Sequence, residues 1–140
     1  MQRIVVAAKA GSEQPWLAEA AAQLAAQQGA VVDVVCADGI DMEAFSTLPR
    51  EEAAEPATRA AETMAAQIRA AGIDATAHTL SGPVVRSVLV FAEDKDADII
   101  VCGGSTRGAV ARRLLGDNSI QLIRRARRPV LVISPPGRNA

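Results

Sequence analysis

The sequence predicts a single α/β domain built on an open, five-stranded parallel β-sheet with helices on both faces. Short apolar runs, rich in β-branched residues and each as long as a buried strand, alternate with longer helical segments along the whole chain. Helices of crossover length between strands are typical of parallel sheets with right-handed connections. A length of 140 residues is that of one domain with a sizeable core.

The order of elements is β-α-β-α-β-α-β-α-β. Strands are predicted at 3–8, 30–37, 73–80, 99–102 and 129–133, and helices at 13–28, 50–71, 84–93, 109–115 and 118–126. Ser12 is the expected N-cap of the first helix and Gly29 its C-cap, while Ser81 or Gly82 is expected to cap the third helix. The domain is predicted to span 1–137, followed by a disordered tail at 138–140.

Composition narrows the class of protein. Only 2% of residues are aromatic and Tyr is absent, so the core must consist of Ala, Val, Leu and Ile. The N-terminus enters a strand directly, without the pattern of a signal peptide, and no apolar run is long enough to cross a bilayer. A cytoplasmic protein is therefore expected, and Cys36 and Cys102 are interpreted as two buried free thiols.

Isolated reactive side chains give weak signals. One His and two Cys at unrelated spacings do not indicate a metal site. His78 lies in an alternating apolar–polar strand and is interpreted as an ordinary surface residue, and Asp33 marks its strand as one nearer an edge. Trp16 is interpreted as a packing residue that is partly exposed.

Charge is unevenly distributed. Residues 1–102 carry 7 basic and 15 acidic side chains, a net charge of −8, whereas 103–140 carry 8 Arg and one Asp, a net charge of +7. Such asymmetry can mark a nucleic-acid-binding face. No aromatic residues alternate with the Arg residues to stack on bases, so a solvated helix surface is the preferred interpretation and nucleic acid is not an expected partner.

The stretch from 97 to 129 carries the strongest functional signal. The apolar run 99–102 is followed at once by Gly103 and Gly104, with Gly108 four residues later. A second break in the helical pattern begins at Gly116. A strand that stops at glycines and restarts as a helix offers backbone N–H groups and a helix N-terminus to an anion. The sequence therefore predicts a phosphate-binding loop at this point.

This stretch resembles the nucleotide-loop signature of the universal stress protein family, which reads Gly, two residues, Gly, nine residues, Gly, then Ser or Thr. Gly103 and Gly116 occupy the first and third Gly positions at the right spacing. Thr106 stands at the second Gly position and Asp117 at the Ser or Thr position. The flanking apolar segments and the whole order of elements agree with one such domain.

The resemblance implies a sheet of strand order 3-2-1-4-5, of the Rossmann-like adenine-nucleotide alpha-hydrolase-like class, with a topological switch between strands 1 and 4. It implies ATP or AMP as ligand, with magnesium, and a homodimer that pairs the last strands, Pro129 to Ile133, across a two-fold axis. The implied nucleotide contacts are Ala7, Ala8, Lys9 and Ala37 at the adenine, Cys102 and Gly103 at the ribose, and Ser105, Thr106, Arg107, Gly116, Asp117, Asn118 and Ser119 at the phosphates.

Three functions remain open at this point. The first is a stress-response regulatory protein with a partly degenerate adenine-nucleotide pocket. The second is a dimeric interaction module of the same fold that binds no nucleotide, which is suggested by Lys9, Thr106 and Asp117; ATP-binding members commonly carry Asp at the place of Lys9. The third is a nucleotide hydrolase, against which stands the lack of an obvious nucleophile–base pair.

Overall fold

The computed structural model describes residues 1–40, 50–104 and 117–136. Its elements follow the predicted order: β1 (Arg3–Ala7), α1 (Pro15–Gln28), β2 (Val31–Ala37), α2 (Arg50–Ala70), β3 (Ala75–Leu80), α3 (Val84–Asp94), β4 (Ile99–Gly103), α4 (Asp117–Arg125) and β5 (Val130–Ile133). The predicted helix at 109–115, most of the connection 38–49 and the tail 138–140 lie outside the described residues.

The five strands form one sheet of order β3-β2-β1-β4-β5. All four strand pairs are parallel, with Val5 of β1 opposite Asp33 of β2 on one side and Ile100 of β4 on the other. This confirms the predicted α/β class and the strand order. The chain leaves β1 toward β2 and later returns to β1's other edge as β4, so the topological switch lies between β1 and β4.

Alternate residues of the central strands supply two apolar layers, one on each face of the sheet. Ile4 and Val6 of β1 pack with Leu17 of α1 and Ile68 of α2. On the opposite face, Val5 belongs to a second cluster, whose other buried members include Val88, Ile100 and Leu122. Burying such a side chain stabilises the fold by about 1.5–3 kcal/mol. The largest fully buried side chains are all Ile, Leu or Val, as the composition predicts.

Two predicted helix caps are wrong. Gln14, not Ser12, is the N-cap of α1 and makes no side-chain cap hydrogen bond, and Pro15 occupies the first turn. Pro83, rather than Ser81 or Gly82, precedes α3. The reason at α3 is tertiary: the Gly82 N–H donates to Asp38 Oδ1 at 3.0 Å, which holds that residue at the end of the β2 and β3 strands. Gly29 is a left-handed C-cap at φ 64°, as predicted.

A charged cluster crosses three strands on the α3 face of the sheet. Asp33 of β2 is 5% exposed, and its carboxylate binds the guanidinium of Arg3 on β1. Its Oδ1 lies 2.8 Å from Nε2 of His78 on β3, and the His78 ring stacks at a tilt on Phe91, with 4.8 Å between ring centroids. The interpretation of His78 as an ordinary surface residue is therefore wrong, because a buried carboxylate on the neighbouring strand holds it. β2 is the second strand from the β3 edge, as Asp33 indicates.

Asp98 joins the beginnings of β1 and β4. Its Oδ2 accepts hydrogen bonds from the backbone N–H groups of Gln2 at 2.7 Å and Arg3 at 2.9 Å. Those two donors stabilise the ionised carboxylate and are the main cause that lowers the pKa of Asp98 below its usual value.

Replacing Asp98 with Ala should therefore lower the free energy of unfolding at neutral pH, and by less in acid. A carboxylate with a lowered folded-state pKa contributes its full stability above about pH 5 and loses it as the pH falls through that pKa, below about pH 4. Urea unfolding of both proteins between pH 7 and pH 3 measures the difference. Exposed Asp94, changed to Ala, is the control. A difference that is constant with pH would contradict the role of the ionised carboxylate.

Candidate functional site

The site predicted by the sequence lies at the carboxyl edge of β1 and β4. Ala7, the last residue of β1, pairs with Cys102 of β4, so the residues after both strands emerge side by side. Ligands of open parallel sheets bind at this edge, at the topological switch. The structure therefore brings Ala7 and Ala8 together with Cys102 and Gly103.

The residues that the family resemblance assigns to the adenine lie at this same edge of the sheet. The Ala8 N–H continues the β1–β2 ladder by donating to the Val35 carbonyl at 2.8 Å, and Ala37 ends β2 two residues later. Ala8 and Ala37 are both buried, at 8% and 4% exposure, whereas Lys9 is exposed. The edge thus offers small apolar side chains and one surface amine.

On the β4 side, Ser119 of α4 fastens that helix to the strand. Its hydroxyl donates to the Gly103 carbonyl at 3.1 Å, and the Cys102 thiol lies 3.7 Å from the same hydroxyl. Ser119 is 5% exposed, while its neighbour Asn118 is exposed. The Ser119 hydroxyl proton is therefore already used in a hydrogen bond to the backbone at the end of β4.

Most of the residues that the family resemblance assigns to the phosphates fall in a part of the chain that the structure does not describe. Ser105, Thr106, Arg107 and Gly116 lie outside the described residues. Asp117 is the first residue of α4. The structure therefore describes the carboxyl ends of β1, β2 and β4 and the start of α4.

Gly103 lies directly under the first turn of α1. A Cβ at this position would lie 2.6 Å from Trp16 Cη2 and 2.8 Å from Gln14 Nε2, closer than real Cβ atoms approach their neighbours. Gly103 is not among the positive-φ glycines. Lack of space, and not an unusual backbone angle, therefore requires glycine here.

The connection from β1 to α1 holds these two side chains in place. Gln14 Oε1 accepts a hydrogen bond from the Lys9 N–H at 3.1 Å, and the Gln14 carbonyl accepts from Leu17 N–H and Ala18 N–H at the start of α1. Trp16 is half-buried and packs against the core beneath α1, which confirms its interpretation as a packing residue. Sequence reasoning missed that the side chains of Gln14 and Trp16 lie against Gly103. The available signal in the sequence was Pro15, which marks the start of the helix after β1 and so places Gln14 at its N-cap and Trp16 in its first turn.

Beside this edge, a cavity of about 480 Å³ separates the β1–α1 connection from α2. Ala8 is one of its lining residues. Its acidic lining residues are Glu13, Glu52 and Glu55, of which Glu55 is paired with Arg59. An acidic lining of this kind suits a neutral or cationic group better than a phosphate chain.

The two cysteines are buried free thiols, as predicted. Cys36 belongs to the α1–α2 layer and Cys102 to the opposite layer. Burial raises the pKa of Cys36 to about 11 and also raises the pKa of Cys102. Burial thus favours the neutral thiol of both residues, the opposite of the lowered pKa that activates a cysteine nucleophile.

The described residues lack two further features. Within 1–40, 50–104 and 117–136, no three or more His, Cys, Asp or Glu side chains are grouped so as to hold a metal ion. The helices of these segments include none with the length and apolar character needed to span a membrane.

The contact at Gly103 predicts a coupled mutational effect. Gly103→Ala should lower the free energy of unfolding by about 1–3 kcal/mol, because the added Cβ overlaps Trp16 and Gln14. In a Trp16→Ala background the indole is gone and only the end of the flexible Gln14 side chain stays close to the added Cβ, so the cost of Gly103→Ala should fall to less than half. Urea unfolding of the four proteins in a double-mutant cycle measures this coupling. Equal costs in the two backgrounds would contradict the contact.

Comparison with known proteins agrees with this architecture. The model of the universal stress protein family matches residues 1–134. A universal stress protein of Methanocaldococcus jannaschii is 31% identical to this chain over 106 residues. The match covers 76% of this chain and 62% of that protein, so this chain spans less than two thirds of its length.

Two solved structures share the fold. One is a universal stress protein in complex with cAMP, with 22% identity, a TM-score of 0.75 and coverage of 96% of this chain and 98% of that chain. The other is the universal stress protein from Archaeoglobus fulgidus in complex with dAMP, with 25% identity, a TM-score of 0.73 and coverage of 95% and 98%. With the family model matched from the first residue to the end of the sheet, the resemblance in the glycine stretch is confirmed: the chain belongs to the universal stress protein family.

Proposed function

We propose that this chain is a regulatory adenine-nucleotide-binding protein that takes its ligand at the carboxyl edge of β1 and β4. The observation that carries the proposal is the pairing of Ala7 with Cys102, which brings Gly103 at the end of β4 beside the end of β1. Such an edge is where open parallel sheets bind ligands. The complexes of two family members with cAMP and dAMP support an adenine nucleotide as the ligand class.

The proposed contacts follow the two sides of the edge. Small apolar residues at the ends of β1 and β2 form the adenine side, and the end of β4 forms the ribose side. The phosphate side is the glycine loop with the start of α4. The full set proposed is Ala7, Ala8, Lys9, Ala37, Cys102, Gly103, Ser105, Thr106, Arg107, Gly116, Asp117, Asn118 and Ser119.

A nucleoside monophosphate is the proposed preference over ATP with magnesium. The cavity next to Ala8 is lined by three glutamates, and one cation, Arg59, is already paired with Glu55. Asp117 adds an acidic residue at the first position of α4, where anions are otherwise favoured. Each additional phosphate charge increases the repulsion from these carboxylates. Both nucleotides bound by the solved relatives carry a single phosphate.

Thermal unfolding with millimolar AMP, ATP and ATP–magnesium tests the proposal. AMP at a hundredfold excess over its Kd should stabilise the folded chain by about 2.7 kcal/mol and raise Tm by several degrees. Lys9→Glu should weaken AMP binding by about two- to fivefold, because it replaces one exposed positive charge at the adenine side of the site with a negative one and the ligand is an anion.

Lys95→Glu is the matched control, because it makes the same change in charge at the C-cap of α3, which leads into the opposite end of β4. A Tm that responds to no nucleotide would overturn the proposal and favour an interaction module of the same fold. Equal effects of the two lysine substitutions would remove Lys9 from the site.

We also propose that two chains pair through β5. The sheet ends at this strand, and Leu131 at its middle is 38% exposed. A bare edge strand with an apolar side chain favours pairing with another strand. The two buried free thiols are typical of a reducing compartment and support the cytoplasm as the site of action.

Light scattering should give a mass of twice the 14.6 kDa chain. Leu131→Lys should yield the monomer, because a lysine at the centre of the interface opposes edge pairing. Thr76→Lys, on the exposed face of the other edge strand β3, is the control and should leave the dimer intact. A monomeric wild-type protein at micromolar concentration would contradict pairing through β5.

A further inference from the structure

The side chains of Gln14 and Trp16 cover Gly103 at the end of β4. Gln14 and Trp16 approach this residue so closely that a single added methyl group would overlap both. Gly103 is the residue that the proposed function places beside the ribose. Side chains of the chain itself therefore occupy the space immediately over one proposed ligand contact.

These two side chains form a defined contact, here called the α1 cover and consisting of Gln14 and Trp16 on Gly103. The Gln14 amide is fixed at its oxygen by the Lys9 N–H at 3.1 Å, which directs the nitrogen toward Gly103. Trp16 sits in the first turn of α1 and is half-buried against the apolar layer beneath. Two independent anchors, one polar and one apolar, hold the cover in position.

The anchors differ in strength. The hydrogen bond from Lys9 N–H to Gln14 lies at the exposed surface, where the net contribution of one hydrogen bond to stability is small. The Trp16 indole buries a large apolar area, so exposing it to water costs more free energy than breaking the Gln14 hydrogen bond. Removing the Gln14 side chain therefore loosens the cover without removing its packed part.

We propose that the α1 cover is an affinity-determining element of the nucleotide site: it packs on Gly103 and must withdraw before a ribose can rest there. This inference rests on the proposed function. An equilibrium between covered and open forms lowers the apparent affinity by the fraction of molecules that are open. Substitutions that weaken the cover raise that fraction and tighten binding.

The chain carries its own probe for this event. Trp16 is the single Trp and Tyr is absent, so intrinsic fluorescence reports on Trp16 alone. Withdrawal from Gly103 changes the surroundings of the indole. AMP should therefore shift Trp16 emission and increase its quenching by acrylamide.

The decisive experiment titrates AMP into wild type, Gln14→Ala and Gln23→Ala, with calorimetry for affinity and Trp16 fluorescence for the cover. Gln23 lies on the same helix, is exposed and lines a different groove, so Gln23→Ala is the matched control. Gln14→Ala is expected to bind AMP at least threefold more tightly than wild type, and Gln23→Ala to match wild type. Emission should change on binding in all three proteins.

The outcomes separate the two proposals. If AMP binds all three proteins equally and Trp16 emission does not change, the proposed function stands and the cover is overturned. Weaker binding by Gln14→Ala would also overturn it, because Gln14 would then be a direct ligand contact. If neither wild type nor Gln14→Ala binds AMP, the proposed function fails and the inference falls with it. Binding by Gln14→Ala alone would support a cover that closes the wild-type site.

Discussion

The fold is organised around the buried centre of β1. Ile4, Val5 and Val6 have no exposed surface, and both edges of the strand are hydrogen bonded, to β2 and to β4. A strand covered on both faces requires helices on both sides of the sheet, and parallel neighbours require crossover connections. This topology creates the crevice at the carboxyl end of β1. The chain leaves β1 toward β2 on one side, and the neighbour on the other side, β4, is reached only later, so the connections after β1 and β4 diverge.

Small side chains determine how closely the helices approach that crevice. The core contains many alanines and its largest fully buried side chains are aliphatic. Alanine-rich α1 lies close against the sheet, so its first turn reaches the end of β4 and a single Trp fills the remaining space over Gly103. Trp16 is thus both the end of the apolar layer and one wall of the candidate site.

The sequence was sufficient for the class of fold, and the family resemblance for the strand order, because apolar periodicity and short crossovers leave few arrangements for a chain of this length. It was not sufficient where distant contacts decide a local structure. The N-cap of α1 was placed at Ser12 because local propensity favours Ser, whereas Gln14 takes that position and bonds back to Lys9. His78 gave no local signal, since its partner Asp33 lies 45 residues away in the chain. The strand order implied by the family resemblance predicts that Ala8 and Gly103 lie at one edge of the sheet, but the two side chains over Gly103 are set by helix packing, which the sequence does not show.

The charged cluster of Arg3, Asp33 and His78 also bears on how the chain avoids misassembly during folding. A shift of β2 by one residue against its neighbours would turn every β2 side chain to the opposite face. Because Val32 to Val35 are apolar on both faces except at Asp33, the hydrophobic pattern alone distinguishes the two alignments poorly. The shifted strand would carry an ionised carboxylate into the alanine-lined layer under α1 and α2, at a penalty of several kcal/mol. One buried acid among valines thus gives an otherwise featureless strand a single permitted alignment.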